Sequence, residues 1–378
     1  MYNPTFRRYS VLFSFVCIAS LLLASCVQQT VASTTLPTAT AAPTINTTAT
    51  IEVTSAVALT KISLGYYTGD EASYAALQKY AEYINTVSVD VYAVNADGEI
   101  IGSDPNNAVG FDREHNIATY ACVSNYNDAE GIWDLDADLA EAALVTHRDT
   151  LIPALVTLAD EGGYDGINID FESIAYSDDL DSVRQQFTSF IHDLAAVLHD
   201  KGLKLIISVP AKTGEYADDD WSYPFDLAAL GEDADYLQLM TYDEHGPSWS
   251  DAGAISGADW VEQVIQYSVS QVDPAKLLIG FPAYSYDWIS DGSNGDFRWV
   301  DFPTLLQKPG AESGWDEMTQ SPWVSFTEDG LTHTVWYEND ASIRAKAALV
   351  RQYDLGGWSM WALGKEDQSF WEAAVSGG

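Results

Sequence analysis

Three polar residues, Asn168, Asp170 and Glu172, form the pattern in this sequence that is best suited to chemistry. They alternate with the apolar residues Ile169 and Phe171. Residues two apart in an extended strand point to the same face, so an amide and two carboxyls are expected in one column. Buried carboxyls that repel each other hold a proton more tightly, so one of them is expected to act as an acid near neutral pH. The alternative is a solvated strand face of ordinary alternating polarity.

Eight short runs rich in β-branched, leucine and aromatic residues predict the strands that must position this column. They cover 62–67, 87–94, 117–123, 166–171, 203–209, 236–242, 277–282 and 357–361. Segments with helical spacing lie between them, at about 70–84, 138–160, 183–198, 225–232, 259–271 and 341–353. Eight strand-helix units without a Gly-rich phosphate turn at the first strand favour an α/β fold, a closed (β/α)8 TIM barrel, over an open sheet. The carboxyl ends of the strands, where such barrels place their active sites, then carry Asp170 and Glu172.

The segment at about 284–340 interrupts this alternation between the seventh and eighth predicted strands. It is rich in aromatic residues, Gly and Asp. Two runs, 324–326 and 332–337, are separated by Glu328, Asp329 and Gly330, which is typical of a hairpin. A segment this long needs structure of its own, so we expect a small α+β insertion over one side of the barrel mouth.

The composition excludes some partners. The 378 residues include 56 Asp and Glu against 17 Lys and Arg, a formal net charge of −39. Nucleic acid and anionic lipid surfaces both require a cationic footprint, so neither is an expected partner. Hydrophobic residues make up 47% of the chain, which is enough to build a large core.

The first sixty residues differ from the remainder of the chain. Arg7 and Arg8 precede an apolar run at 11–23 and two small residues, which predicts a secretory signal peptide over 1–25. The run is shorter than the ~20 residues that span a bilayer. The sequence Leu23-Ala24-Ser25-Cys26 resembles a bacterial lipobox, in which the cysteine becomes the lipidated first residue of the mature protein. The alternative is an ordinary signal peptide that contains a cysteine.

Residues 26–60 are rich in Thr, Ala and Pro and have no apolar period, which is typical of a tether. The folded part is therefore expected at 61–378. Acyl chains on Cys26 would be its only membrane attachment, on the outer face of a bacterial membrane. Without lipidation the protein would be secreted.

Cys122 is the single cysteine of the predicted folded part, so no internal disulfide is possible there. It lies in an apolar run, 117–123, and is expected to be a small buried side chain rather than a nucleophile. The spacing of His, Cys and Asp predicts no metal site.

Three separated segments resemble one enzyme family. The run Asp165-Gly166-Ile167-Asn168-Ile169-Asp170-Phe171-Glu172 resembles the Asp-x-x-Asp-x-Asp-x-Glu signature of glycoside hydrolase family 18, the chitinase-like hydrolases. Met240-Thr241-Tyr242-Asp243 resembles its sixth-strand motif, and Gly357-Trp358-Ser359-Met360-Trp361 its eighth-strand segment. Segments at 242–245, 280–284 and 341–346 resemble the bacterial branch that includes spore-cortex hydrolases. The resemblance covers about 62–374.

The resemblance implies retaining, substrate-assisted cleavage next to an N-acetylated sugar, an exception to the scheme with two catalytic carboxylates. Glu172 would protonate the glycosidic oxygen, while the substrate's acetamido oxygen attacks the anomeric carbon. Asp170 would orient the acetamido N–H and stabilise the positive charge, and Tyr242 would hold the acetamido carbonyl. Asp243 would bind the sugar or support Glu172. Neither a cofactor nor a metal is implied.

The remaining candidate residues have weaker support. Trp361 would offer a flat face to the sugar at the floor of the site, or would simply pack in the barrel. Tyr66 and Tyr284 are sugar platforms or packing residues, and Asp165 has either a supporting or a catalytic role. Asn168 stands where many chitinases have the middle Asp, which shares a proton with its neighbour. An amide cannot accept that proton, so Asp170 is expected to ionise more readily, with a shifted pH optimum.

Two classes of function remain open from the sequence. One is a surface-tethered glycosidase that acts on β-1,4-linked N-acetylglucosamine polymers, either chitin, chito-oligosaccharides or peptidoglycan glycan. The other is a noncatalytic sugar-binding protein on the same fold. The presence of Glu172 favours hydrolysis, because lectins of this family commonly lack the acid. The sequence does not distinguish chitin from peptidoglycan, or endo from exo action.

Overall fold

The structure is a computed structural model that describes residues 59–128 and 134–378. The predicted signal peptide, Cys26 and almost all of the tether lie outside these residues. The exported location therefore stays a prediction from the sequence. Within the described part of the chain, no helix combines the length and apolar character that crossing a bilayer requires.

The described residues form sixteen strands and ten α-helices. The strands are β1 (Ile62–Tyr67), β2 (Thr86–Val94), β3 (Ile100–Gly102), β4 (Ala118–Ser124), β5 (Tyr126–Asn127), β6 (Asp134–Leu135), β7 (Gly166–Asp170), β8 (Lys204–Pro210), β9 (Tyr236–Met240), β10 (Leu277–Pro282), β11 (Tyr284–Ile289), β12 (Asn294–Arg298), β13 (Glu312–Asp316), β14 (Ser321–Glu328), β15 (Leu331–Trp336) and β16 (Gly357–Trp361). The helices are α1 (Glu71–Tyr80), α2 (Ala108–His115), α3 (Ala137–Glu141), α4 (Arg148–Gly162), α5 (Leu180–Asp200), α6 (Leu227–Asp233), α7 (Ala258–Val269), α8 (Phe302–Leu305), α9 (Asp340–Gln352) and α10 (Gln368–Gly377).

Eight of the strands close into a parallel barrel, in the order β1, β2, β4, β7, β8, β9, β10 and β16, with β16 pairing back to β1. The predicted (β/α)8 barrel is confirmed, and each predicted strand lies within two residues of an observed one. The prediction succeeded because buried parallel strands read as nearly continuous apolar runs.

Two groups of apolar side chains hold the barrel together. The larger lies between the strands and the surrounding helices, where α5 buries Val183, Phe187 and Phe190 along the stripe that the sequence showed. The smaller fills the barrel itself and includes Leu64 and Cys122. Cys122 is fully buried, as its apolar surroundings in the sequence predicted.

The insertion between β10 and α9 is a five-stranded antiparallel sheet, ordered β12, β11, β15, β14 and β13, accompanied by the short α8. The predicted hairpin is confirmed as β14 and β15; β14 is longer than expected, and β15 begins one residue earlier than expected. Its turn holds Asp329 and Gly330 at φ of +51° and +84°, a conformation that glycine adopts readily. The Trp288 indole N–H donates to the Ser250 carbonyl (3.1 Å), which joins this sheet to the loop after β9.

Two elements between the second and third barrel strands were not predicted. The three residues of β3 pair antiparallel with the end of β2. Helix α2 buries Asp112 among its few buried residues, and the preceding N-cap residue, Asn107, makes no capping hydrogen bond through its side chain. Its sequence therefore lacks both the apolar stripe and the cap that mark a helix start.

Candidate active site

The end of β7 carries the two predicted catalytic carboxyls. Asn168 is fully buried, whereas Asp170 and Glu172 are partly exposed. Glu172 lies two residues beyond the strand, and Asn125 fixes its backbone: the Glu172 N–H donates to Asn125 Oδ1 (2.8 Å), and the Asn125 amide donates to the Glu172 carbonyl (2.7 Å). The acid is therefore held at the rim of the barrel by the end of the neighbouring strand.

Both carboxyls open into a cavity of about 580 Å³ at the carboxyl ends of the strands. Asp170, Glu172 and Trp361 form one part of its lining. The other part comes from the second half of β2, the end of β3 and the antiparallel pair of short strands β5 and β6. This volume lies within the usual range for small-ligand pockets.

Burial raises the pKa of both acids. Loss of hydration is the main cause at Asp170, and the facing Ser208 hydroxyl opposes it. Loss of hydration also dominates at Glu172, and the charges of Asp170, Asp243 and Asp90 add to it. Glu172 therefore stays protonated further toward neutral pH than an ordinary glutamate, as a general acid requires.

Asn168 forms a hydrogen-bonded layer below Asp170. Its Nδ2 donates to Tyr66 Oη (3.1 Å), to Ser88 Oγ (2.9 Å) and, more weakly, to Cys122 Sγ (3.5 Å). Its Oδ1 accepts from the Ser208 hydroxyl (3.3 Å). The amide is thus fully engaged with uncharged partners.

The segment after β9 supplies a second group of polar side chains. Asp243 adopts a φ of +61° and accepts a hydrogen bond from the Tyr284 hydroxyl (2.7 Å). Tyr242 lies where burial and the charges of Tyr66, Asp170, Glu172 and Asp243 raise its pKa, so its phenol remains a donor. A Cβ at position 280 would lie 2.6 Å from Tyr242 Cε1, which explains the glycine on the neighbouring strand.

The three aromatic residues that were predicted to contact the sugar differ in exposure. Trp361 is partly exposed to the cavity and meets the edge of Tyr66 at a ring-centroid distance of 5.5 Å. Tyr66 and Tyr284 are only 2% and 7% exposed, so neither ring presents an open face. Their predicted sugar contacts stay predictions, limited to the accessible edges and hydroxyls of these rings.

Of the predicted site residues, Asp170, Glu172 and Trp361 line the cavity, whereas Tyr242 and Asp243 are not among its lining residues. Comparison with known proteins identifies the family. Residues 113–366 match the family described as Glycosyl hydrolases family 18. The chain belongs to glycoside hydrolase family 18.

Three relatives illustrate the range of this similarity. The uncharacterized glycosylase YvbX of Bacillus subtilis (strain 168) is 38% identical over 84% of this chain and 91% of its own length. The solved chitinase of Chromobacterium violaceum ATCC 12472 is 41% identical, with a TM-score of 0.78 over 84% of this chain and 98% of that one. The cortical fragment-lytic enzyme of Bacillus subtilis (strain 168) is 25% identical over 78% of this chain and 68% of its own length.

One residue of the family 18 signature lies away from the cavity. Asp165 is exposed at the start of the fourth barrel strand, five residues before Asp170. Its carboxylate accepts the Thr119 N–H (2.8 Å), so it joins β4 to β7 at the amino end of the strands. This contact is structural, and the role of Asp165 in the reaction stays a prediction.

Asp90 is a polar residue of the family 18 cavity that the sequence analysis missed. It stands in the middle of β2, and Ser88 lies two residues before it on the same face. The alternation of valine with Ser88 and Asp90 was the available signal, since barrel strands with both faces buried seldom carry polar side chains. Loss of hydration is the main cause that raises the pKa of Asp90, and the charge of Asp170 raises it further.

Asp90, Cys122 and Asp170 each bring one potential ligand atom within 4.8 Å of the others. Burial is the main cause that raises the pKa of the Cys122 thiol well above its usual value, and the charges of Asp90 and Asp170 raise it further. A protonated thiol is a poor metal ligand, so this donor set suits shared protons better than a cation. The sequence expectation of no metal site stays a prediction.

Burial raises the pKa of Asp170 above the ordinary aspartate value. The expectation that an amide at 168 makes Asp170 ionise more readily than a second carboxyl at that position would stays a prediction.

Proposed function

We propose that this family 18 protein hydrolyses β-1,4 linkages next to N-acetylglucosamine in chitin or chito-oligosaccharides, with retention of configuration. The observation that carries the proposal is Glu172, a carboxyl with a raised pKa that opens into a cavity beside Asp170 and Trp361. A sugar-binding protein without hydrolysis has no need of a proton donor at this position.

In the proposed first step, Glu172 gives its proton to the glycosidic oxygen as the bond to the anomeric carbon breaks. The substrate's acetamido oxygen forms a bond to that carbon and produces a cyclic oxazolinium ion. Asp170 accepts the acetamido N–H and balances the positive charge, while the Tyr242 hydroxyl donates to the acetamido oxygen. Water then attacks the anomeric carbon and returns a proton to Glu172, which opens the ring with retention.

The charge of the cavity favours a neutral glycan over peptidoglycan. Asp90, Asp128, Asp134, Asp170 and Glu172 line it, and none of its described lining residues is a Lys or Arg. Muramic acid and its stem peptides carry carboxylates, which such a lining repels. The 41% identity with the chitinase of Chromobacterium violaceum supports the same choice.

Substitution of Glu172→Gln tests the proposal. The amide keeps the shape of the side chain and cannot donate a proton as an acid, so turnover of N-acetylglucosamine oligomers should fall at least ~10²–10⁴-fold. Binding of the same oligomers, measured by calorimetry, should persist. The matched control is Glu161→Gln, the same chemical change at an exposed site on α4, which should leave turnover unchanged.

Product analysis with chitin oligomers and, separately, with purified sacculi tests the substrate. We expect release from the oligomers, with the β-anomer formed first by NMR, and little release from sacculi. Faster release from sacculi would move the assignment to peptidoglycan. Binding of oligomers without turnover in the unsubstituted protein would leave a noncatalytic sugar-binding protein.

A further inference from the structure

We propose that Asp90 is the proton partner of Asp170: the two carboxyls share one proton, and Asp90 thereby takes the place of the carboxyl that Asn168 lacks. Asp90 acts through Asp170 and is a positioning residue. The inference rests on the proposed hydrolytic function, because it assigns the protonation state in which Asp170 orients the substrate.

The strand register brings the two residues together. Asp90 pairs in register with Cys122 on β4, and Ser124 of the same strand pairs with Asp170 on β7. An oxygen of Asp90 and one of Asp170 lie within 4.8 Å of each other, and both residues line the cavity.

An irregularity in β2 directs Asp90 toward the site. The pairing of β2 with β4 shifts between Asp90 and Tyr92, which leaves Val91 without a partner in the register. Bulges of this kind redirect a side chain and are frequent next to active sites.

The amide layer below Asp170 cannot share its proton. Asn168 is engaged with Tyr66, Ser88, Cys122 and Ser208, all uncharged hydrogen-bonding groups. Asp170 Oδ1 is buried and has no hydrogen-bond partner among the described atoms. A buried carboxylate oxygen without a donor is costly, and in the proposal the O–H of a protonated Asp90, whose carboxyl lies within 4.8 Å, is the group that meets this need.

The groups that face Asp90 and Asp170 hold their protons near neutral pH, and the pair itself carries one negative charge there. Tyr66 from β1, Cys122 from β4 and Tyr242 after β9 all have raised pKa values because burial disfavours their charged forms. Glu172 is the remaining carboxyl, and its pKa is raised as well. Two carboxylates this close cannot both ionise easily, so one proton remains between them.

The shared proton prepares Asp170 for the substrate. In the free enzyme, Asp90 and Asp170 hold one proton and one negative charge. When the acetamido N–H donates to Asp170, the proton resides on Asp90 and the negative charge on Asp170, next to the developing positive charge. No proton enters or leaves the pair in this change.

Substitution of Asp90→Asn removes the second carboxyl and keeps its shape. The basic limb of the kcat/KM profile should move to lower pH, by about one unit, because Glu172 loses a like charge that raises its pKa. The acidic limb should not move down with it, because Asp90 is still protonated when Asp170 ionises. The charge-matched control is Asp200→Asn, an exposed residue at the end of α5, which should leave the profile unchanged.

The double variant Asp90→Asn/Asn168→Asp separates proton sharing from a structural role. It returns a carboxyl to the other side of Asp170, so the profile should move back toward that of the unsubstituted protein. A merely structural Asp90 would not be rescued by a carboxyl at 168. An unshifted profile in Asp90→Asn, or a double variant no different from the single one, would overturn the proposal.

A titration of the free protein keeps this test separate from turnover. Carboxyl carbon NMR of protein labelled at the aspartate side chains should show Asp90 and Asp170 titrating as one coupled pair above the usual aspartate range. If the protein fails to hydrolyse any glycan but shows this coupling, the proposed function fails and the proton partnership stands. Independent titration of the two residues in the unsubstituted protein would refute the partnership.

Discussion

At the scale of single residues, the environment assigns different roles to similar groups. Asp90, Asp170 and Glu172 are carboxyls in one cavity, and none of the described lining residues is a Lys or Arg. They are distinguished by their neighbours: Glu172 opens to the cavity, Asp170 lies above the Asn168 layer, and Asp90 faces Asp170. Pairs of titratable groups whose environments differ commonly divide acid and base roles in this way.

Tyr242→Phe tests the third catalytic role. Burial raises the pKa of the Tyr242 phenol, so the hydroxyl keeps its proton at neutral pH and can donate it in a hydrogen bond to the acetamido oxygen. Its loss should lower kcat about 10²–10³-fold, the effect of removing one preorganised donor. The pH profile should keep its shape, since no titrating carboxyl is removed.

Comparison with Tyr284→Phe shows whether this effect is specific. That hydroxyl donates to Asp243 and has no assigned contact with the reacting acetamido group, so a smaller loss is expected. Equal losses in the two variants would contradict the role given to Tyr242.

The sequence revealed some site residues and concealed others for a physical reason. The spacing of Asn168, Asp170 and Glu172 was visible because all three lie on one strand. Asp90 was concealed because it stands on another strand, and its partnership with Asp170 exists only through the register of β2, β4 and β7.

At the scale of elements, a buried ion pair supports the segment that carries Tyr242 and Asp243. Lys346 on α9 is fully buried, and its Nζ donates to Glu338 Oε2 (2.6 Å) and to the Ser256 carbonyl (2.9 Å). The Ser256 hydroxyl in turn donates to the Thr241 carbonyl (2.6 Å). Ser256 therefore links the ion pair by hydrogen bonds to Thr241, the residue before Tyr242.

Lys346→Met should lower the free energy of unfolding by about 3–5 kcal/mol, because it leaves Glu338 charged, buried and without its cation. Chemical denaturation measures the change. Replacing both partners, Lys346→Met with Glu338→Leu, should recover much of the loss, since no buried charge remains. Lys201→Met, which removes an exposed pair with Asp160, should cost under about 1 kcal/mol. A loss for Lys346→Met as small as that for Lys201→Met would refute the argument.

The elements that the sequence predicted are those with strong periodicity. The eight barrel strands and α5 were predicted because long apolar runs and stripes mark them. The three residues of β3 are too few to show a periodic pattern. Helix α2 is stabilised by tertiary contacts, such as the hydrogen bond that the Thr119 hydroxyl donates to the Asp112 carboxyl (3.1 Å). A short element fixed by its neighbours leaves little trace in its own residues.

At the scale of the whole molecule, buried carboxyls reverse the usual dependence of stability on pH. Burial raises the pKa of Glu366 to about 7, despite hydrogen bonds from Gly364 and Trp371. Burial likewise raises the pKa of Asp112 to about 7. The folded pKa values exceed the unfolded ones, so this stability is present below about pH 4 and is lost as pH rises through 7.

We therefore expect the melting temperature to fall between about pH 5 and pH 8. The large excess of acidic residues acts in the same direction, because self-repulsion grows as carboxyls ionise. Glu366→Gln should remove a contribution on the order of 3 kcal/mol from this dependence and flatten the curve measured by calorimetry. Glu161→Gln is the exposed control. A curve of unchanged slope in Glu366→Gln would show that Glu366 does not titrate in this range.

Cys122 gives the barrel an internal reporter. It is the one cysteine within the described residues, it is fully buried, and it lies beside Asn168 at the centre of the barrel. A water-soluble thiol reagent reaches it only when the strands around it separate. The rate of its labelling therefore measures how often the centre of the molecule opens, and a bound glycan that stabilises the closed barrel slows that labelling.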